Sequence, residues 1–227
     1  MRRFGLYAVV FALTLLLRKV PVVGEVFRIP LLGFYFTAIL FTLLLTKVVV
    51  WVWEADKQLK LVRQLGAVDT PYNQGKLGAL ILSQGRHRRA VPYLERAVEG
   101  EPESPEWHYR LGLARLGSGD LEGARRALER AAELNEEHAY GGALLRLAEV
   151  DTRLGNPKLA FEWLERFEHN HGPSPESALR RGLALKAGGH SAEAGKAFEE
   201  VRQLARQFAE HGRKDQRRWV LRSYLGR

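Results

Sequence analysis

One pattern, returned to four times, constrains this chain more than any other feature of its sequence. Gly78, Gly112 and Gly182 hold one position, with Ala148 standing in the third copy. Gly85, Gly119, Gly155 and Gly189 hold a second, Ala90, Ala124, Ala160 and Ala194 a third, and Leu94, Leu128, Leu164 and Phe198 a fourth. Successive copies stand 34, 36 and 34 residues apart. A fixed period of this length belongs to arrays in which each unit buries its apolar face only against neighbours. Two small residues per copy let a pair of antiparallel helices approach closely. The glycine between them takes the sharp turn, and the bulky residue four after the second small one is expected to fill the gap between repeats.

The pattern resembles the tetratricopeptide repeat, a helix-turn-helix unit of 34 residues. Four units can be laid out, 71–104, 105–140, 141–174 and 175–208, and the second carries two extra residues. The leading aromatic of the family's pattern is approached only by Trp107, and its closing proline only by Pro102. The resemblance implies an all-α fold: an α-solenoid of four helical hairpins over 71–208, its first helices lining a concave groove that takes protein partners. Apolar residues fall on helical spacing, as at Leu77, Leu80 and Ile81, then Val91, Leu94 and Val98.

What precedes the repeats is different in kind. Residues 1–53 read as a membrane anchor. Leu31 to Trp53 carries one charge, Lys47, in 23 residues, and at ~1.5 Å per residue would reach about 34 Å, enough to cross a bilayer with some tilt. Lys47 can reach headgroups along its stem, and Trp51 and Trp53 stand where an interfacial aromatic belt falls. An earlier apolar run, Phe4 to Leu17, extends to a candidate second span over 4–23 if Arg18 and Lys19 snorkel. Without that extension it is re-entrant or lies along the surface. Residues 54–70 then read as a linker helix with Leu59, Val62 and Leu65 on one stripe, packing on the first repeat, and Asp69-Thr70-Pro71 punctuates the start of the solenoid. Residues 209–227 read as a basic capping helix whose apolar face is Leu221, Tyr224 and Leu225.

Charge is split along the chain. Residues 1–70 hold 9 Lys/Arg against 4 Asp/Glu, residues 71–200 hold 18 against 20, and residues 201–227 hold 8 against 2. The repeats are near neutral and the ends basic. With no cysteine, disulfides and thiolate catalysis are excluded. No nucleophile elbow, phosphate-binding loop, HExxH or dinucleotide fingerprint occurs, so neither an enzyme nor a cofactor is expected. His169-Asn170-His171 lacks further ligands at metal spacing and reads as a polar turn between repeats. Arg86-His87-Arg88-Arg89 reads as a charged turn, or as a contact for anionic headgroups.

At the sixth position of the four units stand Lys76, Arg110, Arg146 and Arg180. They form either a ladder that pairs with a partner's carboxylates or a row salt-bridged to the neighbouring helix. The Lys-and-Asn pair of the family's carboxylate clamp is absent, since Gly75/Ala79 and Tyr109/Leu113 hold those positions. Tyr109, Leu113 and Leu116 instead suggest a partly apolar groove. The expected function is a membrane-tethered scaffold or adaptor that binds protein partners through this groove and supports assembly of a membrane-associated complex. The alternative is a basic carboxyl end, Arg213, Lys214, Arg217, Arg218 and Arg222, that binds anionic lipid or nucleic acid, with Trp219 and Tyr224 as stacking platforms. The expected location is an inner membrane of bacterial type with the repeats cytoplasmic, or on the outer, periplasmic side if residues 4–23 do not span.

Overall fold

A computed structural model of the chain describes residues 31–210 and 217–226. The chain divides into two compact units, residues 1–64 and 65–227.

In the first unit, the described residues belong to one long helix, α1 (Leu31–Gly66), which runs unbroken through the change from apolar to charged sequence at Glu54. Side chains from Ile39 to Trp53 are mostly exposed apolar groups, Trp51 at 70%. Thr42 and Thr46 are the buried exceptions, the Thr46 hydroxyl donating to the Thr42 carbonyl at 2.6 Å. Among the described residues no helix is long and apolar enough to cross a membrane. The span expected over Leu31–Trp53 is therefore not supported. The candidate span 4–23 lies outside the described residues.

In the second unit, nine described helices follow: α2 (Pro71–Ser83), α3 (His87–Gly100), α4 (Pro105–Ser118), α5 (Leu121–Leu134), α6 (Gly142–Arg153), α7 (Pro157–His171), α8 (Pro175–Ala187), α9 (Ser191–Glu210) and α10 (Arg217–Leu225). The first eight pair as hairpins. Proline opens α2, α4, α7 and α8, where its missing N–H has no intrahelical partner to lose. Side chains cap three starts: Thr70 accepts from Asn73 N, Asp120 from Gly123 N, and Ser174 and Ser177 cap α8 reciprocally.

The repeated residues explain the hairpins. Gly85, Gly119, Gly155 and Gly189 sit at the turns with φ between +72° and +93°, a region costly for any residue with a Cβ. A Cβ on Gly78 would lie 2.6 Å from Leu94, one on Gly112 2.5 Å from Leu128, and one on Gly182 2.4 Å from Phe198. The bulky residue thus packs on the glycine of the helix it pairs with, inside its own hairpin, and Leu94 and Leu128 also join clusters that reach into the next repeat, as expected. Ala90, Ala124, Ala160 and Ala194 are buried. The core runs along the stack in three clusters, around Leu94 and Trp107, around Leu128, Leu144 and Leu164, and around Phe198 and Trp219. Trp107 stacks across the α2–α4 boundary, where a Cβ on Gly75 would lie 2.8 Å from its indole.

The capping helix turns a different face inward from the one expected. Trp219 is 5% exposed and Ser223 is buried, whereas Leu221, Tyr224 and Leu225 are exposed, Leu225 at 85%. The indole completes the cluster with Leu179, Phe198 and Val201, and burying it removes more apolar surface than any leucine of α10 could. Lys186 Nζ donates to the Gly226 carbonyl at 2.7 Å and ties down the end of α10.

Candidate functional site

The first helices α2, α4, α6 and α8 lie side by side, so the sixth-position cations fall in a row, and each meets an acid. Lys76 Nζ lies 3.6 Å from Glu106 Oε1, which also accepts from Arg110 Nε at 2.9 Å. Lys76 further sits over the rings of Tyr72 and Trp107, at 5.1 and 5.4 Å. Arg146 Nη1 donates to Glu149 at 2.9 Å, and its Nη2 lies 3.2 Å from Glu176. Arg180 reaches the same two carboxylates, Glu149 at 3.0 Å and Glu176 at 2.6 Å. Two arginines and two glutamates thus close a four-membered ring between α6 and α8.

Burial sets the electrostatics of that ring. Arg180 is 5% exposed; burial, and then the nearby Arg146 charge, push its guanidinium below its ordinary value, against the pull of Glu176 and Glu149. Burial also disfavours the charged forms of Arg146 and Glu149. The acids outweigh it at Arg146, whose value rises, and Arg180 and Arg146 outweigh it at Glu149, whose carboxyl falls below the usual carboxylate range. The expected ladder therefore exists as a row of cations, but its charges are spent on glutamates one turn or one repeat away.

The apolar part of the groove is smaller than the sequence suggests. Leu113 is half-buried on the α4 face. Tyr109 packs edge-on to His138, ring centroids 5.7 Å apart, and leans on the central core, while Leu116 belongs to that core. Leu116 is drawn inward because it joins the cluster shared by α5 of its own hairpin and α6 of the next repeat.

A groove that sequence reasoning missed lies where α6, α8 and α10 meet. It has a volume of about 350 Å³ and is lined by Glu149, Thr152, Arg153, Leu179, Arg180, Leu183, Arg222, Leu225 and Gly226. No sequence signal foretold it, because α10 joins the wall only once Trp219 has docked.

The other expected residues are placed as follows. Lys47, Trp51 and Trp53 are exposed on α1. Arg213 and Lys214 lie outside the described residues. Arg218 and Arg222 stand over the Trp219 ring, 4.6 and 5.5 Å from its centroid. Since that indole is in the core, it is not a platform on which a base can stack. Tyr224 carries Arg202 over its ring at 5.2 Å. The His169-Asn170-His171 sequence forms the last turn of α7 rather than a turn between repeats. Among the described residues no three His, Cys, Asp or Glu side chains gather as metal ligands. Arg86 caps α3, and His87, Arg88 and Arg89 form its first turn.

Comparison with known proteins agrees with this geometry. Residues 82–147 match the tetratricopeptide-repeat family profile. Over those residues the chain is similar to the tetratricopeptide repeat. Over 77 residues it is 35% identical to human tetratricopeptide repeat protein 34, a stretch that makes up 34% of this chain and 13% of that protein. A crystal structure of MamA matches with a TM-score of 0.58 and 26% identity, over 66% of this chain and 87% of MamA. TTC0263, a thermophilic tetratricopeptide-repeat protein of Thermus thermophilus, shares the fold with a TM-score of 0.52 at 22% identity, over 69% of this chain and 89% of TTC0263. Repeat proteins of this kind are scaffolds for protein–protein interaction and are generally non-catalytic.

Proposed function

We propose that this chain is a tethered scaffold: the first-helix face of its repeats holds a segment of another protein, and α1 with the residues before it fixes the scaffold in a membrane. The observation that carries the first half is the row of first helices, with half-buried Leu113 among neutralised charges, a surface that a peptide can cover without stranding a free cation. The second half is supported by the run Leu31–Trp53, with one charge in 23 residues, and by the exposure of Ile39, Phe41, Leu44, Val48 and Trp51 around α1, an apolar surface that water alone does not cover favourably. Tethering would raise the effective concentration of the scaffold near partners in the same membrane. We place the repeats on the cytoplasmic side of a bacterial-type inner membrane, beside the anionic leaflet that suits the basic carboxyl end.

Co-purification with mass spectrometry from native membranes tests the capture surface, comparing the wild-type chain with Leu113→Glu. A partner set lost in the variant supports it, and identical sets remove the groove from the reading. Alkaline extraction tests the tether independently. A chain that stays with the membrane pellet, while a form lacking residues 1–53 is released, supports it; release of the full chain overturns it. Protease protection in intact cells decides the side.

A further inference from the structure

The row of sixth-position cations is neutralised within the repeats, but the groove between α6, α8 and α10 is not. Three arginines and one glutamate line it, and that glutamate, Glu149, is already shared by Arg146 and Arg180. Arg153 and Arg222 are exposed; the Arg153 charge acts on Glu149, and Arg222 stands over the Trp219 ring. Arg180 contributes a further unsatisfied group, since its Nε is buried without a hydrogen-bond partner. Beside these charges stand Leu179, Leu183 and Leu225, of which Leu183 and Leu225 are exposed. The volume of about 350 Å³ falls at the small end of the range for ligand pockets, roughly 300–1,000 Å³. An excess of positive charge beside an apolar wall is complementary to a ligand that carries a carboxylate next to an aliphatic side chain.

We infer that this groove is the anchoring pocket for the captured segment, and that it selects an acidic segment in which a leucine-sized side chain adjoins a carboxylate. The apolar side chain lies against Leu183 and Leu225, and the carboxylate pairs with Arg153 and Arg222. Guanidinium is suited to this, because it is permanently charged and binds carboxylate in a planar, bidentate manner. Arg222 comes from the capping helix, so the pocket exists only when α10 is docked. The inference rests on the protein-capture reading above and adds to it the partner's chemistry and the end of the array where it anchors.

The test uses the purified full chain in mild detergent and a fluorescein-labelled octapeptide of alternating leucine and glutamate, read by fluorescence anisotropy. The same peptide with lysine for glutamate is the control. The pocket predicts binding of the glutamate peptide that weakens with added salt, no binding of the lysine peptide, and a loss of about tenfold or more in affinity for Arg153→Glu/Arg222→Glu. Both arginines are exposed, so this variant should keep its helix content and melting midpoint, and a lowered midpoint would be controlled by Arg153→Gln/Arg222→Gln, which removes the charges without reversing them. Wild-type affinity in both double variants overturns the pocket. If Leu113→Glu alone weakens the peptide, the capture reading stands and the pocket falls. Equal binding of the lysine peptide, or no binding of the glutamate peptide by the wild-type chain, also overturns the pocket, while the partner set from native membranes still decides the capture reading.

Discussion

Arg180 and Glu149 meet at 3.0 Å across the boundary between α8 and α6, and the arginine is almost wholly buried there. Taking a guanidinium out of water costs several kcal/mol unless its donors are met. Glu149 and Glu176 meet its two terminal nitrogens, leaving Nε unmet, and Arg146 binds the same two acids from the other side. The ring ties the third hairpin to the fourth by charge, as single pairs such as Lys76–Glu106 and Arg125–Asp151 do at the earlier repeat boundaries.

Removing one acid should expose this dependence. Glu149→Gln leaves buried Arg180 with Glu176 alone, and we expect a loss of about 3 kcal/mol in urea denaturation. Glu149→Leu/Arg180→Met, which replaces a pair by apolar groups of similar length, should recover most of it. A loss in the double variant equal to that of the single one would show that the pair is not what Glu149 supports.

Acid should act on the same contact. The Glu149 carboxyl is held below its ordinary value, so it binds a proton less readily folded than unfolded. Its stabilising contribution is therefore complete above the unfolded value of about 4.3 and is lost as pH falls through the lower folded value. Melting midpoints taken from pH 7 down to pH 3 should fall more steeply for the wild-type chain than for Glu149→Gln. Parallel curves would contradict the assignment.

The glycines of the helices should divide into two kinds. A Cβ at Gly112 would lie 2.5 Å from Leu128, so Gly112→Val should cost about 2–3 kcal/mol through overpacking, partly relieved by Leu128→Ala. Gly195, in the interior of α9, has nothing within 4 Å of a Cβ position. There Gly195→Ala should stabilise by about 0.5–1 kcal/mol, because the unfolded chain loses freedom and nothing clashes. Thermal denaturation of the three variants checks both signs.

Asp151 is fully buried and accepts from Trp163 Nε1 at 2.8 Å, with Arg125 Nε at 3.6 Å from its other oxygen. Trp163→Phe keeps the aromatic packing and removes the donor. It should cost about 2 kcal/mol, the penalty for a buried charged acceptor left unmet, with less effect in an Asp151→Leu background. A double-mutant cycle on chemical denaturation measures the coupling.

The paired helices were legible in the sequence because their cause is local and repeated. Gly85, Gly119, Gly155 and Gly189 mark turns that require positive φ, and small residues recur wherever two backbones must come close. The site was less legible. Lys76, Arg110, Arg146 and Arg180 can be aligned by counting, and acids one turn from the three arginines on their own helices were visible, but the second partners that close the row come from the neighbouring repeat. Glu176 neutralises Arg146 across that distance, and no local spacing distinguishes it from a solvated acid.

By itself, then, the sequence determined that residues 71–208 form stacked helical hairpins, since a 34-residue period of small and bulky residues has few other ways to bury its apolar faces. It also determined where charge accumulates along the chain. Only the tertiary structure decided which of those charges stay free and which face of α10 turns inward. Trp219 gains more by entering the cluster of Phe198 and Val201 than Leu221 and Leu225 would, and docking it leaves Arg222 beside Arg153 and Arg180 in one groove. Burial and charge pairing join residues far apart in the chain, and those energies arise only once the helices are packed.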